Sequence, residues 1–165
     1  PAGSVMRLDV ALRMMLVKSA NDVTYAIGQT IGKGSMETFV ERMNAEAAAL
    51  GMKDTHFVNP NGLPAPGQYS SAKDLAILGV ALRKEFPEFS NYFATEAIAV
   101  GKGTMKNHNG LLGRYNGADG MKTGYICAAG FNLVASATRD NRTLIAVVLG
   151  AEGPIVRERT AAEMP

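Results

Sequence analysis

The apolar residues of this chain keep helical spacing through the first half and change to strand alternation in the last third. A single change of period, from 3.6 to 2, builds helices first and an antiparallel meander afterwards, so the class is α+β. Leu8, Leu12, Met15 and Leu16 share one face of a helix that runs to about Val17 and stops at the polar break Lys18-Ser19-Ala20-Asn21-Asp22. A second helix, about 22 to 31, turns Val23, Ala26 and Ile27 inward. Ser35 suits the N-cap of a third, with Phe39, Val40, Met43, Ala47 and Leu50 on its face and Gly51 as a left-handed cap. A Pro/Gly loop lasts to Gly67. Ser71 with Asp74 three positions on then reads as a capping box for a fourth helix, which buries Leu75, Leu78, Leu82 and Phe86 and breaks at Pro87.

Ile98 and Val100 predict a strand, and Asn107-His108-Asn109-Gly110 a polar turn. Phe131, Leu133, Ala135 and Ala137 alternate with Asn132, Val134, Ser136 and Thr138, the pattern of a half-buried strand. Asp140-Asn141 turns that strand back into residues 144–149, apolar on both faces and therefore expected to be central. Gly153-Pro154 opens a closing helix with Ile155, Ala161 and Met164. The 165 residues make one domain: a helical part over about 8–94, a sheet part over about 95–150 and the closing helix over about 154–164.

Several function classes drop out. A net charge of +2 without a basic run, and 7% aromatics without a stacking pattern, argue against nucleic acid. One cysteine, Cys127, excludes an intramolecular disulfide and a cysteine metal cluster; strand alternation favours buried filler, with a thiol open to the pocket as the alternative. His56 and His108 lack an acidic ligand pattern and read as structural, so no metal is expected. Three residues separate Gly28 from Gly32, and Gly34 follows Lys33, which is not a Walker loop; no cofactor is implied. No apolar run reaches membrane-spanning length.

The chemistry concentrates in Asp119-Gly120-Met121-Lys122-Thr123-Gly124-Tyr125. If residues 120–126 are extended, Lys122 and Gly124 share one face and Thr123 takes the other. Glycine beside a lysine on a strand marks close approach of something to the backbone. A carboxylate ligand fits, with Lys122 as point charge, Thr123 as hydroxyl partner and the Tyr125 N–H as a donor. A surface turn with a solvated lysine is the alternative. About a hundred residues earlier, Ser19-Ala20-Asn21 lies in an interhelical loop. Ser-x-Asn alone is expected in roughly four in ten chains of this size, so it carries weight only through its pairing with Lys-Thr-Gly.

Ser-x-Asn, a helical region, Lys-Thr-Gly and a meander follow the order of the second and third motifs of the penicillin-binding-protein and serine β-lactamase fold. In detail the chain resembles the serine D-alanyl-D-alanine carboxypeptidases of the low-molecular-mass penicillin-binding proteins. The resemblance is carried by Leu16-Val17-Lys18-Ser19-Ala20-Asn21-Asp22, Leu50-Gly51-Met52-Lys53-Asp54-Thr55-His56-Phe57, Gly67-Gln68-Tyr69-Ser70-Ser71-Ala72-Lys73-Asp74, Gly120-Met121-Lys122-Thr123-Gly124 and Ala129-Gly130-Phe131-Asn132-Leu133-Val134-Ala135-Ser136-Ala137. It implies a helical layer on an antiparallel sheet, in the cell envelope, and acyl transfer on peptidoglycan stem peptides: a serine attacks the penultimate D-alanine carbonyl, the terminal D-alanine leaves, and water releases the acyl group. It also implies β-lactam antibiotics as covalent inhibitors. Position by position, Ser19 helps pass the proton to the leaving amine, Asn21 bonds the substrate amide, Lys122, Thr123 and Gly124 hold the substrate near its carboxylate, and the Tyr125 N–H forms half of an oxyanion hole. Arg157 matches an arginine that contacts the same carboxylate; a solvated arginine beside Glu158 is the alternative.

The family's nucleophile motif, Ser-x-x-Lys, comes before Ser-x-Asn. None of the 18 residues ahead of Ser19 makes it, and the one that exists, Ser70-Ser71-Ala72-Lys73, lies between the other motifs, where both serines serve as helix caps. The nucleophile is therefore expected from residues outside these 165 or from a companion chain. Without the family's N-terminal strands and nucleophile helix, the strand at 143–149 keeps an open apolar edge and the core a hole, so the 165 residues are expected to associate rather than fold stably alone. A non-catalytic module that binds acyl-D-alanine ends remains the second reading. A class A β-lactamase relative is a third, against which the downstream segments speak.

Overall fold

A computed structural model of the chain describes residues 3–164. Helix α1, Leu8–Arg13, runs into a π-helical turn, Met14–Lys18, where the sequence predicted uninterrupted α-helix, and Ser19 ends it in the left-handed region at φ 55°. Then come α2 at Asn21–Ile31, α3 at Met36–Ala49 and α4 at Ala72–Glu85. A 3₁₀ turn, Pro87–Phe89, and a short α5, Ser90–Phe93, lead to the hairpin β1, Ala97–Val100, and β2, Gly103–Lys106. The chain closes with β3, Ala118–Ile126, β4, Gly130–Arg139, β5, Arg142–Ala151, and α6, Pro154–Glu163.

Local chemistry sets the boundaries of the helical half. Ser35 Oγ accepts from the Thr38 N–H at 3.1 Å to start α3, and Gly51 at φ 78° closes it. Ser71 Oγ likewise accepts from the Asp74 N–H at 3.2 Å. The reciprocal half of the expected capping box is not made. The Asp74 carboxylate, 1% exposed, instead accepts from the Asp54 N–H at 2.7 Å and the Thr55 hydroxyl at 2.8 Å, tying α4 to the segment after α3. Asp74→Ala leaves that buried N–H and hydroxyl unsatisfied, and is expected to cost about 2–4 kcal/mol in a urea-denaturation midpoint series.

The sheet runs β3-β4-β5, antiparallel throughout. β4, not the more apolar β5, is its centre. Leu133 and Ala135 face α6, where they form a buried core with Leu111, Val148 and Ala161. Val134 and Ile145 face α4: a Cβ built on Gly79 would lie 3.4 Å and 3.3 Å from their methyl carbons, so the missing side chain lets the helix lie close against the sheet. Asp140 and Asn141, at φ 49° and 59°, make the β4–β5 turn as read from the sequence.

β5 has no strand on its outer side among the described residues, and Leu144 and Leu149 are exposed there, so the expected open edge is present. A surface cleft of about 350 Å³ lies along α3, lined by Phe39, Met43, Leu50, Met52, Phe57 and Leu78 with Arg42 and Glu46. Leu8, Ala26, Phe86, Ile155 and Met164, all expected on core-facing sides of their helices, face solvent. Phe86 lies past the end of α4 at φ −130°, outside the helical register. Ile155 lies about 200° around α6 from Arg157, one of the two buried residues on that helix. No helix among the described residues is long and apolar enough to cross a membrane.

Candidate active site

Ser19 and Lys122, 103 positions apart, meet where the helical layer faces β3. Lys122 Nζ donates to Ser19 Oγ and, at 2.6 Å, to the carbonyl of Thr123. The fold produces this from two local features. The π-helical turn and the left-handed Ser19 swing the serine out at the layer's edge, and strand alternation turns Lys122 toward it. Thr123 is buried on the other face, whereas Gly124 and Tyr125 are exposed. β3 is the other edge of the sheet. A carbonyl at Thr123 that reaches Lys122 points off that edge, and Tyr125, two residues on, turns its N–H the same way.

Arg157 is 3% exposed, which excludes the solvated alternative. Its Nη2 donates to the His108 carbonyl and to Glu158 Oε1, both at 2.9 Å, while its buried Nε has no partner among the described residues. Glu158 Oε1 in turn accepts from the Gly110 N–H at 3.0 Å. Asn109, 3% exposed, donates from Nδ2 to the Gly120 carbonyl at 2.9 Å and accepts from the Leu111 N–H at 3.2 Å. The loop read from the sequence as a polar turn therefore laces α6 to the start of the Lys-Thr-Gly strand. Its signal was there in the alternating asparagines, since Asn107 Oδ1 accepts from the Asn109 N–H in the manner of an Asx turn.

A second network went unassigned. Asp119 accepts from Ser136 Oγ, Thr138 Oγ1 and Arg83 Nη2, each at 2.6 Å, and so fixes β3 against β4 and α4. Both partners on β4 lie on strand-alternation positions that the sequence assigned only to solvent or packing.

The electrostatics follow from cations gathered in a partly dry space. Lys122 is pushed down to about 8, first by burial and then by the Arg157 charge. Burial and the charges of Lys18, Lys122 and Arg157 hold His108 below its ordinary range. An ammonium in that position is charged at neutral pH and close to releasing its proton, so it can both hold an anion and move a proton.

Other expected residues fall elsewhere. Asn21 is exposed at the first position of α2, and among the described residues it makes no hydrogen bond to Ser19 or Lys122. Ser71 caps α4 as expected, but Ser70 does not; its hydroxyl is 2.9 Å from that of Thr55. Cys127 is exposed, because β3 ends at Ile126 and the turn carries the thiol out to 3.7 Å from the Tyr125 hydroxyl. His56 stacks on Tyr69, with Nδ1 3.0 Å from the Gly67 carbonyl. Among the described residues no group of three or more His, Cys, Asp or Glu side chains could hold a metal ion.

Residues 2–153 match the family model described as D-alanyl-D-alanine carboxypeptidase, peptidase S11. The D-alanyl-D-alanine carboxypeptidase DacD of Escherichia coli is 44% identical over 153 residues, which cover 92% of this chain and 39% of that protein. The crystal structure of the Francisella tularensis carboxypeptidase DacD superposes with a TM-score of 0.92 at 30% identity, over 99% of this chain and 52% of that one. Penicillin-binding protein D2 of Listeria monocytogenes, in its cefotaxime-bound form, superposes at 0.81 with 32% identity, over 91% of this chain and 61% of that one. The chain thus spans about two fifths to three fifths of these relatives. Its helices and antiparallel sheet are those of the penicillin-binding-protein and β-lactamase fold, and the chain belongs to the D-alanyl-D-alanine carboxypeptidase family.

Proposed function

We propose that this chain forms the substrate-holding half of a serine-type D-alanyl-D-alanine carboxypeptidase, working on peptidoglycan stem peptides at the outer side of the cytoplasmic membrane. The observation that carries the reading is the contact of Lys122 with Ser19, with the buried Arg157 close enough to depress the lysine. Lys122, Thr123 and Arg157 receive the terminal carboxylate, and Gly124 leaves room for the peptide to lie along β3. Asn21 bonds the substrate amide once a ligand fills the space between it and β3. The Tyr125 N–H, on the open edge, polarises the scissile carbonyl.

The nucleophile is a Ser-x-x-Lys serine from a segment beyond these residues or from a companion chain, and the cleft beside α3 is where its helix packs. As its oxygen bonds to the carbonyl carbon, its proton passes to the lysine of the same Ser-x-x-Lys segment; the C–N bond then breaks, and that proton reaches the departing amine through Ser19, which Lys122 holds in place. Water then cleaves the ester. A β-lactam presents a strained amide to the same serine and leaves a lasting acyl group.

The second reading is a module that binds acyl-D-alanine ends without cleaving them. Both readings require binding. Calorimetry with N-acetyl-D-alanyl-D-alanine and its all-L isomer, on the chain joined with the N-terminal segment of a relative so that it folds, tests them together, and preference for the D,D form is expected. Equal affinity, or none for either, contradicts both. Turnover by the chain joined with a Ser-x-x-Lys segment separates the enzyme from the module.

A further inference from the structure

At its start β3 carries one residue more than β4 does. Ala118 pairs with Ala137 but Gly120 with Ser136, so Asp119 is the extra residue of a β-bulge. Beyond it the register is regular, and Lys122 stands opposite Val134. Without the extra residue, the pairing set at Ala118 would continue and put Lys122 opposite Leu133. Cross-strand partners share a face, and a slip of one residue exchanges the two faces of a strand. Val134 faces α4, whereas Leu133 lies in the core under α6. The bulge therefore decides whether the ammonium meets Ser19 or turns toward α6.

Both residues of the bulge are fitted to it. Asp119 accepts from two hydroxyls on β4, Ser136 Oγ and Thr138 Oγ1, and from Arg83 Nη2 on α4, each at 2.6 Å. Ser136 and Thr138 lie on either side of Ala137, the last partner before the slip, so the carboxylate grips β4 across it. At Gly120 a Cβ would lie 2.7 Å from Ser136 Oγ and 3.1 Å from the Phe93 Cβ, and any larger residue would push the bulge off β4. From the opposite layer the buried Asn109 donates to the Gly120 carbonyl at 2.9 Å. The run ahead of Lys122 is thus held from α4, from β4 and from the 107–110 loop.

We propose that the Asp119-Gly120 bulge is the register lock of the site, and that Asp119 is a positioning residue which, through β3, holds Lys122 against Ser19. The lock stands on the strand register; its consequence for acyl transfer rests on the carboxypeptidase reading.

The test follows two readouts on the chain joined with the N-terminal segment of a relative: the Lys122 titration, by NMR of the methylene next to Nζ, and the rate of acylation by benzylpenicillin. In its place Lys122 titrates at about 8. Removing the Asp119 carboxylate would by charge alone lower that value, whereas a lysine released into solvent rises toward 10.5, so the sign separates positioning from electrostatics. For Asp119→Ala the expected results are a rise to about 9 or above and acylation slowed about tenfold or more, since a misplacement of about 1 Å can cost about 100-fold. Ser136→Ala combined with Thr138→Val keeps the Asp119–Arg83 pair and removes only the grip on β4. It should raise Lys122 as well and slow acylation about threefold, and it carries the test if Asp119→Ala does not fold. Asp74→Ala, at the other end of α4, is the matched loss of stability and should leave both readouts unchanged. A Lys122 that still titrates near 8 in the folded variants overturns the lock, and natural acylation of those variants leaves the carboxypeptidase reading standing. An equal rise in Asp74→Ala overturns the lock too, because any loss of stability would then produce it. A rise confined to the bulge variants, with no acylation of the natural sequence, upholds the lock and contradicts the reading.

Discussion

Replacing Lys122 with methionine is expected to weaken the binding of an acyl-D-alanyl-D-alanine ligand by about 100-fold or more while leaving the chain at least as stable at pH 7. The first effect follows from removing a positioned ammonium whose charge-assisted hydrogen bonds to a carboxylate are worth about 1.5–3 kcal/mol each. The second follows from what the folded chain does to the amine. Burial and Arg157 bring Lys122 from 10.5 to about 8, so the folded state holds its proton less tightly than the unfolded state does. At pH 7 both states are protonated, and the buried charge costs roughly 3 kcal/mol. Between about pH 8 and 10.5 the unfolded chain binds the extra proton, so stability rises with pH across that window. Urea midpoints at pH 7 and 9.5 should therefore climb for the natural chain and stay level for Lys122→Met. Ligand affinity should move the opposite way, falling as the ammonium is lost above pH 8.

Arg157→Leu is expected to cost about 3–5 kcal/mol of stability and to abolish carboxylate binding. The guanidinium is buried with Glu158, and its loss leaves that carboxylate and the His108 carbonyl short of a donor in a dry setting. The variant has an electrostatic signature that plain destabilisation lacks. Removing a like charge favours the ammonium, so the Lys122 titration, followed by NMR of its side-chain methylene next to Nζ, should rise from about 8 toward 10.5. A lysine that still titrates near 8 in a folded Arg157→Leu chain would show that the arginine does not act on it. Arg157→Lys keeps a charge but loses the planar fork that serves His108 and Glu158 together, and should fall between the two.

How much of this was legible before the structure depends on how local each feature is. Helix caps at Ser35 and Ser71, the Asp140-Asn141 turn and the period of β4 are dictated within a few residues, and the chain follows them. The order of the strands is not local. Residues 144–149 are the most apolar stretch, yet β4 takes the centre because its register places partners on both sides, whereas β5 exposes Leu144 and Leu149 at an edge. At the site, the two motifs were readable as motifs, and their meeting through Ser19 and Lys122 follows from fold resemblance. What composition and spacing could not supply is burial. Nothing in the run Pro154-Ile155-Val156-Arg157 says that the arginine goes inside and the isoleucine out, since a surface helix would normally turn the other way. Asp74 and Asp119 show the same limit: one read as a capping residue and the other as the start of the Lys-Thr-Gly run, and each carboxylate joins separate elements, Asp74 fully buried and Asp119 partly.

On the proposed function, Ser19 and Lys122 serve a nucleophile that lies outside these residues. Intact mass after incubation with benzylpenicillin, followed by peptide mapping, tests it most directly when the chain is joined with a Ser-x-x-Lys segment from one of its relatives. The expected result is one penicilloyl adduct on that segment's serine, none on the 165 residues, and loss of the adduct in the Lys122→Met chain. An adduct on Ser70, or one on the added serine that forms equally fast without Lys122, would contradict the claim.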